Sequence, residues 1–267
     1  MDYFKNCNDY PDLYKENEVS QQAASLEFRR NVETMLQFVQ ENKIIGTRST
    51  GNMPLKMVGE LSKKLVNPPE LETKFGERIY KVRSEEEVWS NFFPHILAEV
   101  GKLVKISPGR QWRLTPAGKK FLDQPPLNQL CILIMIWWHR VNWLIAYPVE
   151  GMGENLPQNF QFVTLQHFLS AMEKDEIHFK DFADSIIESS GLTWTSSDKT
   201  FHHIHLRGAV EIIVIGIHSE FGILETHHEV KEEDIGKNKT FTSEKLVSFR
   251  ITKLGKLLIE SILKSVI

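Results

Sequence analysis

Cysteine is nearly missing from this chain of 267 residues, which has two, Cys7 and Cys131. Two thiols so far apart in sequence build neither a disulfide framework nor a paired-cysteine metal site. Apolar runs of membrane length are missing as well. Leu130 through Trp138 is uninterrupted for nine residues before His139, Arg140 and Asn142 end it, against the roughly 20 residues a spanning helix needs. Residues 1–24, Met1 through Ala24, have no basic start and no apolar stretch, so no secretory signal is expected there and a cytoplasmic protein is. A basic excess is also lacking: 32 Lys and Arg stand against 35 Asp and Glu, a formal charge of −3, which is not the balance of a strong nucleic-acid binder. Neither a nucleophile elbow nor a metalloprotease spacing occurs, so the expectation is a non-enzymatic protein that needs no cofactor.

What the chain does have is an internal repeat. Trp112-Arg113-Leu114-Thr115 followed by Gly118-Lys119 returns as Phe249-Arg250-Ile251-Thr252 followed by Gly255-Lys256. Each copy follows a matching helix end, Glu99-Val100-Gly101 and Glu220-Phe221-Gly222. Repetition at long spacing reports a duplicated supersecondary unit. The two glycines lie 121 residues apart and the two threonines 137, so this alignment gives the second copy 16 extra residues. They fall between Glu229 and Lys245, whose charge predicts a long exposed hairpin connection.

Each copy reads as helix, glycine stop, strand, turn, strand, helix. Val88, Phe92, Ile96 and Val100 recur at helical spacing behind Ser84 and Glu87, a capping-box pair, and Pro94 predicts a kink or a break. Leu103 to Ile106 and Gln111 to Leu114 are short strands about a Pro108-Gly109 turn. Thr115 and Thr252 sit at the cap of the following helix, with Gly118 where close packing leaves no room for a side chain. Helices followed by a two-stranded hairpin have the shape of a winged helix. The predicted fold is therefore mainly α with some β (α+β). It consists of tandem winged-helix-like repeats, each ending in a two-stranded hairpin and a helix and joined by a buried Trp-rich helix. The expected organisation is a polar segment at 1–24, a first repeat at 25–126, a connecting helix at 127–150 and a second repeat at 151–267. Trp137, Trp138 and Trp143 are expected to pack between the repeats.

A winged helix suggests DNA, whose major groove is read by lysine, arginine or asparagine on the helix before the hairpin. Ser84 through Val100 carries Glu85, Glu86, Glu87 and Glu99 and neither lysine nor arginine, and Phe201 through Phe221 carries only Arg207. Cations gather instead about the hairpins: Lys102, Lys105, Arg110, Arg113, Lys119 and Lys120 in the first, and Lys237, Lys239 and Lys245 in the second. These are the candidate nucleic-acid residues, through phosphates. Protein docking is expected slightly ahead of DNA, with the choice of partner open and no membrane involved. Among the late histidines, His202, His205, His218 and His228 are the candidate ligands of a metal.

Gly46-Thr47-Arg48-Ser49-Thr50-Gly51-Asn52 mimics the glycine spacing of a phosphate loop, but has asparagine where lysine is required and no apolar strand before it. Capping and turn chemistry ahead of Pro54 accounts for it better. This segment through Pro54, together with Arg113-Leu114-Thr115-Pro116-Ala117-Gly118-Lys119 and the helix around Trp137 to Trp143, resembles uncharacterised prokaryotic proteins sometimes found near mobile elements. The likeness spans roughly residues 26 to 147 and rests on structural motifs. It implies no established activity.

Overall fold

The computed structural model describes residues 17–76, 78–146, 156–195, 201–234 and 240–266; of these, the side chains of 75, 231–234 and 240–243 are outside the description. Cys7, residues 147–155, Lys237 and Lys239 lie outside the described residues. The chain is helix-rich with small antiparallel sheets and divides into two compact units, Met1–Val141 and Asn142–Ile267.

The first unit opens with helices α1, Asn17–Ser25, and α2, Glu27–Glu41. Phe28, Val32, Met35, Leu36 and Val39 recur at three and four, which turns one face of α2 to the core. Arg29 is buried on α2, its guanidinium donating to the carbonyls of Ala23 and Ala24, to Glu33 and to Gln129. It closes the bend between α1 and α2 and ties both to a helix 100 residues later. Helix α3, Leu55–Ser62, follows, then a hairpin of β1, Glu72–Phe75, and β2, Arg78–Lys81, then α4, Trp89–Val100. Strands β3, Val104–Ile106, and β4, Trp112–Leu114, form the next hairpin. Helices α5, Pro116–Leu122, and α6, Pro126–Arg140, complete the unit.

Two sequence expectations about the start and course of α4 are corrected. Pro94 does not split it into two helices; the helix runs through, with Pro94 buried. Ser84 makes no capping hydrogen bond; Glu87 reaches back instead to the amide of Arg83, and a 3-10 turn at Glu85–Glu87 intervenes.

Helix α6 is buried at every position from Leu127 to Trp138 because α1, α2 and α4 all pack on it. A helix apolar on all sides needs such a surround. It is a core helix of the first unit, and Trp137 meets the ring of Phe93 edge-on at 5.4 Å there. Trp143 packs separately, in the second unit, against Phe160 and His218.

The second unit contains α7, Phe160–Ala171, β5, Ile177–His178, and α8, Phe179–Ser190. Next comes one irregular helix: α9, His202–Val210, a π-helical stretch at Glu211–Gly216, and α10, Ile217–Glu220. The ribbon of β6, Leu224–Asp234, and β7, Thr240–Ile251, leads to α11, Lys253–Val266. The described part of the charged insertion is thus paired strand: register runs from Leu224↔Ile251 out to Asp234↔Thr240, with one bulge at His227/His228.

Both units order their strands alike. Strand β7 lies between β5 and β6. In the first unit, β4 pairs with β3 on one side and on the other meets Ile44 to Gly46, through the bridge Ile45↔Gln111 and the bond from Trp112 N to Ile44 O.

The repeat closes with the same bonds twice. Thr115 Oγ1 donates to Lys102 O at 2.7 Å and accepts from Gly118 N at 3.0 Å. Thr252 Oγ1 donates to Gly222 O at 2.7 Å and accepts from Gly255 N at 2.8 Å. The amides of Thr115 and Thr252 go to the carbonyls of Leu103 and Ile223. Lys102 therefore corresponds to Gly222, both left-handed at φ 57° and 70°, and Gly101 corresponds to Phe221. Matching glycine to glycine misplaces the helix ends by one. The anchored pair is 13 residues apart in the first unit and 30 in the second, so the insertion is 17 residues rather than 16.

Candidate functional site

In the first unit the hairpin turns a cationic face outward. Lys105 and Arg113 are directly opposite across β3 and β4 and both exposed, while Trp112 points inward. Like charges so placed repel, which weakens a hairpin. Gln111, paired with exposed Ile45, continues that face and takes a bond from Arg113 Nη2 at 2.8 Å. Arg110 is half-buried in a left-handed turn and gives Nη1 to Gly46 O at 3.3 Å, so it serves the fold. Lys102 is exposed ahead of β3, and Lys119 and Lys120 are exposed on α5, outside the sheet. Of the six cations expected here, the sheet brings two together.

The loop at Gly46–Asn52 sits against that hairpin and spends its amides on itself. Gly46 N donates to Arg110 O at 2.8 Å, Thr47 N to Asn52 O at 2.8 Å and Gly51 N to Thr47 O at 3.2 Å. A side chain at Gly46 would stand 2.0 Å from Gly51 O. A phosphate loop needs those donors turned outward, so this segment is a closed turn. Trp112 Nε1 pins it through Gly51 O at 2.9 Å, and Asn52 and Met53 N bond to Glu86 and Glu85, each at 2.7 Å.

Glu85 is buried, and its Oε2 also meets His95 Nδ1 at 3.2 Å. His95 Nε2 forms an ion-pair contact with Glu99 at 3.3 Å, and the imidazole lies 4.2 Å from the Trp112 ring. Burial opposes charge on this ring, yet the two carboxylates outweigh it and raise the His95 pKa to about 9. His95 is charged at neutral pH and compensates Glu85. The acidic start of this helix is therefore part structural: Glu85 anchors the loop, and Glu86 and Glu87 remain exposed. No sequence motif announces this network, which joins residues 32 apart at Met53 and Glu85.

In the second unit Lys245 lies opposite Glu229, and Arg250 clasps Glu225 through Nε and Nη2 at 3.0 and 2.7 Å. In sequence, strands β6 and β7 hold Glu225, Glu229, Glu232, Glu233, Asp234 and Glu244 against Lys231, Lys245 and Arg250, so the ribbon has no basic excess. The helix before it turns Phe201, Ile204 and Ile212 to solvent, 50%, 61% and 42% exposed. Arg207 on that helix is clamped by Asp184 at 2.6 and 2.8 Å, and the guanidinium holds the Asp184 carboxyl below its ordinary range.

The candidate metal ligands are scattered. His218 is fully buried, bonded to Val214 O, and its pKa falls to about 4 because burial disfavours the cation. His205 stacks on Trp194 at 4.7 Å, His202 is on the first turn of α9, and His228 is exposed on β6. Among the described residues no three His, Cys, Asp or Glu side chains come together as a metal site. No described helix is long and apolar enough to cross a membrane.

Sequence reasoning passed over the hairpin of β1 and β2. Its signal was present: Thr73, Phe75, Ile79 and Tyr80 on either side of Gly76, in the composition of paired strands. Compared with protein-family models, curated proteins and solved structures, the chain matches none.

Proposed function

We propose that this chain is a non-enzymatic tandem winged-helix protein that docks another protein through the helix preceding its second hairpin. Element order supports the winged-helix reading: in each unit a helix, an edge segment, further helices and a hairpin whose second strand is central. The docking reading rests on one observation, the exposure of Phe201 just before α9, Ile204 on α9 and Ile212 on its π-helical continuation. Arg207 on α9 is paired with Asp184, so the one arginine of this helix is not offered to a phosphate. The exposed apolar side chains suit an apolar surface on a partner, not phosphates. The outer side of α4, with half-buried Trp89, Phe92 and Ile96 and exposed Glu99, and the turn before it, with exposed Glu86 and Glu87, likewise offer no cation to a base edge.

A photo-crosslinking residue placed at Ile204, and separately at the exposed Lys180 as a control, tests the assignment. A discrete protein adduct in cells from Ile204 and not from Lys180 is the expected result. Equal adducts from both, or none from Ile204, would refute it.

A second reading, DNA held by its phosphates, is favoured by the Lys105 and Arg113 pair on the outer face of the first hairpin. Cationic hairpins touch the backbone without reading sequence.

A further inference from the structure

The hairpin of β1 and β2 has no buried side chain among those described. It is a two-stranded sheet with no third strand among the described residues, and Glu72, Thr73, Lys74, Arg78, Ile79, Tyr80 and Lys81 are all exposed. It is held at its foot, where Val82 N donates to Leu71 O and Arg83 N to Glu87 Oε2, both at 3.0 Å. An isolated hairpin is marginal in water, and this one keeps Ile79 59% and Tyr80 51% exposed. Folding does not account for those side chains.

Charge indicates what would. Glu72 is spent on Lys81 at 2.8 Å. Lys74, Arg78 and Arg83 form no ion pair among the described residues. Residues 72–81 hold Lys74, Arg78 and Lys81 against Glu72 and Glu77, a small cationic excess, while Glu86 and Glu87 at the foot accept bonds from the neutral donors Asn52 Nδ2 and Arg83 N and keep their charge. Four-residue strands span about 13 Å, and a two-stranded ribbon fits a major groove about 12 Å wide. The loop at Gly46–Met53 connects this foot to the first wing, since it bonds Glu85 and Glu86 at one end and Arg110 O at the other. Two hairpins with exposed cations, Lys74 and Arg78 on opposite faces of one and Lys105 and Arg113 on one face of the other, are thus joined through the same loop.

We infer that the hairpin at Glu72–Lys81 is an arm that enters a groove of duplex DNA, with Lys74 and Arg78 on phosphates and Tyr80 against the base edges or sugars. This surface is separate from the apolar row of the second unit and stands or falls independently of it.

Fluorescence anisotropy of a labelled random duplex of about 20 base pairs, titrated with the full chain from about 50 to 200 mM salt, tests the arm. The wild-type chain should bind with a steep salt dependence. Lys74→Glu with Arg78→Glu should weaken binding at least ~10-fold and flatten the salt slope by about two phosphate contacts. Tyr80→Ala should weaken it ~5-fold or more with the slope unchanged. Because these side chains are exposed, circular dichroism and melting temperature should match the wild type. No binding at about 50 mM salt, or arm variants that bind as the wild type does, would overturn the inference. Equally tight binding of polyglutamate would overturn it too, in favour of an acidic protein partner.

Discussion

Replacing Glu85 by glutamine removes one charge from the line that runs from buried Glu85 through buried His95 to exposed Glu99, and keeps the shape. The His95 pKa stands near 9, against 6.5 for the unperturbed ring, because Glu85 and Glu99 overcome burial. A pKa held that far above its unfolded value is worth about 3 kcal/mol. Its sign follows from linkage. Below about pH 6.5 both folded and unfolded chains carry the proton and the contribution is complete; it declines as pH rises and is lost above about 9. In Glu85→Gln, burial acts with Glu99 as the only counter-charge, so the His95 pKa should drop by at least one unit (~1.4 kcal/mol). Met53 N loses its charged acceptor as well. The loss of stability near pH 6 should be about 2–3 kcal/mol and should shrink towards pH 10, where wild-type His95 is itself neutral. Imidazole chemical shifts give the His95 pKa directly, and urea unfolding at a series of pH values gives the stability. Four of the six tryptophans, Trp89, Trp112, Trp137 and Trp138, lie in the first unit, so fluorescence reports mainly on it. A wild-type His95 that titrates near 6.5, or a variant whose deficit is the same at both ends of the pH range, would refute the reasoning.

Gly118→Ala and Gly255→Ala should each destabilise by about 1–3 kcal/mol in thermal melts, since the new Cβ would stand 2.2 Å from the carbonyl oxygen of Leu103 or Ile223. Gly109→Ala, whose nearest neighbour would be Ser107 Oγ at 3.8 Å, should change stability by less than about 0.5 kcal/mol. Lys102→Gly should stabilise by about 1 kcal/mol, because a residue with a side chain occupies the left-handed position that glycine fills in the second unit; an unchanged or lowered melting temperature would contradict the equivalence of Lys102 and Gly222.

Features that depend on near neighbours were legible in the sequence. The threonine caps are contacts three residues long, Thr115 to Gly118 and Thr252 to Gly255. Spacing alone reveals them. The stripe of α2 is legible for the same reason, since one turn of helix sets which residues share a face; the stripe Val88, Phe92, Ile96 and Val100 is not the buried face of α4, which is Phe93, Pro94, Leu97 and Ala98. Features made by distant partners were not. The glutamates before α4 look like an acidic surface, and only the approach of His95 from a later turn, with the loop at Met53 against it, makes Glu85 a buried anchor. Candidate site residues divide in the same way: Lys105 and Arg113 share a face because strand register puts them there, whereas Arg110 is drawn into the fold by Gly46, 64 residues earlier.

The sequence by itself determined that one helix–hairpin–helix junction occurs twice, through threonine and glycine at fixed local spacing. Tertiary structure decided the alignment of the two copies, because a left-handed helix end accepts Lys102 in one and Gly222 in the other and only the hydrogen bonds to the threonines show them to be equivalent. It also decided that the Trp-rich helix is core to the first unit, and which side chains are left for a partner. Burial is a property of what packs against a residue, and for α6 those neighbours are helices that begin as much as about a hundred residues away along the chain.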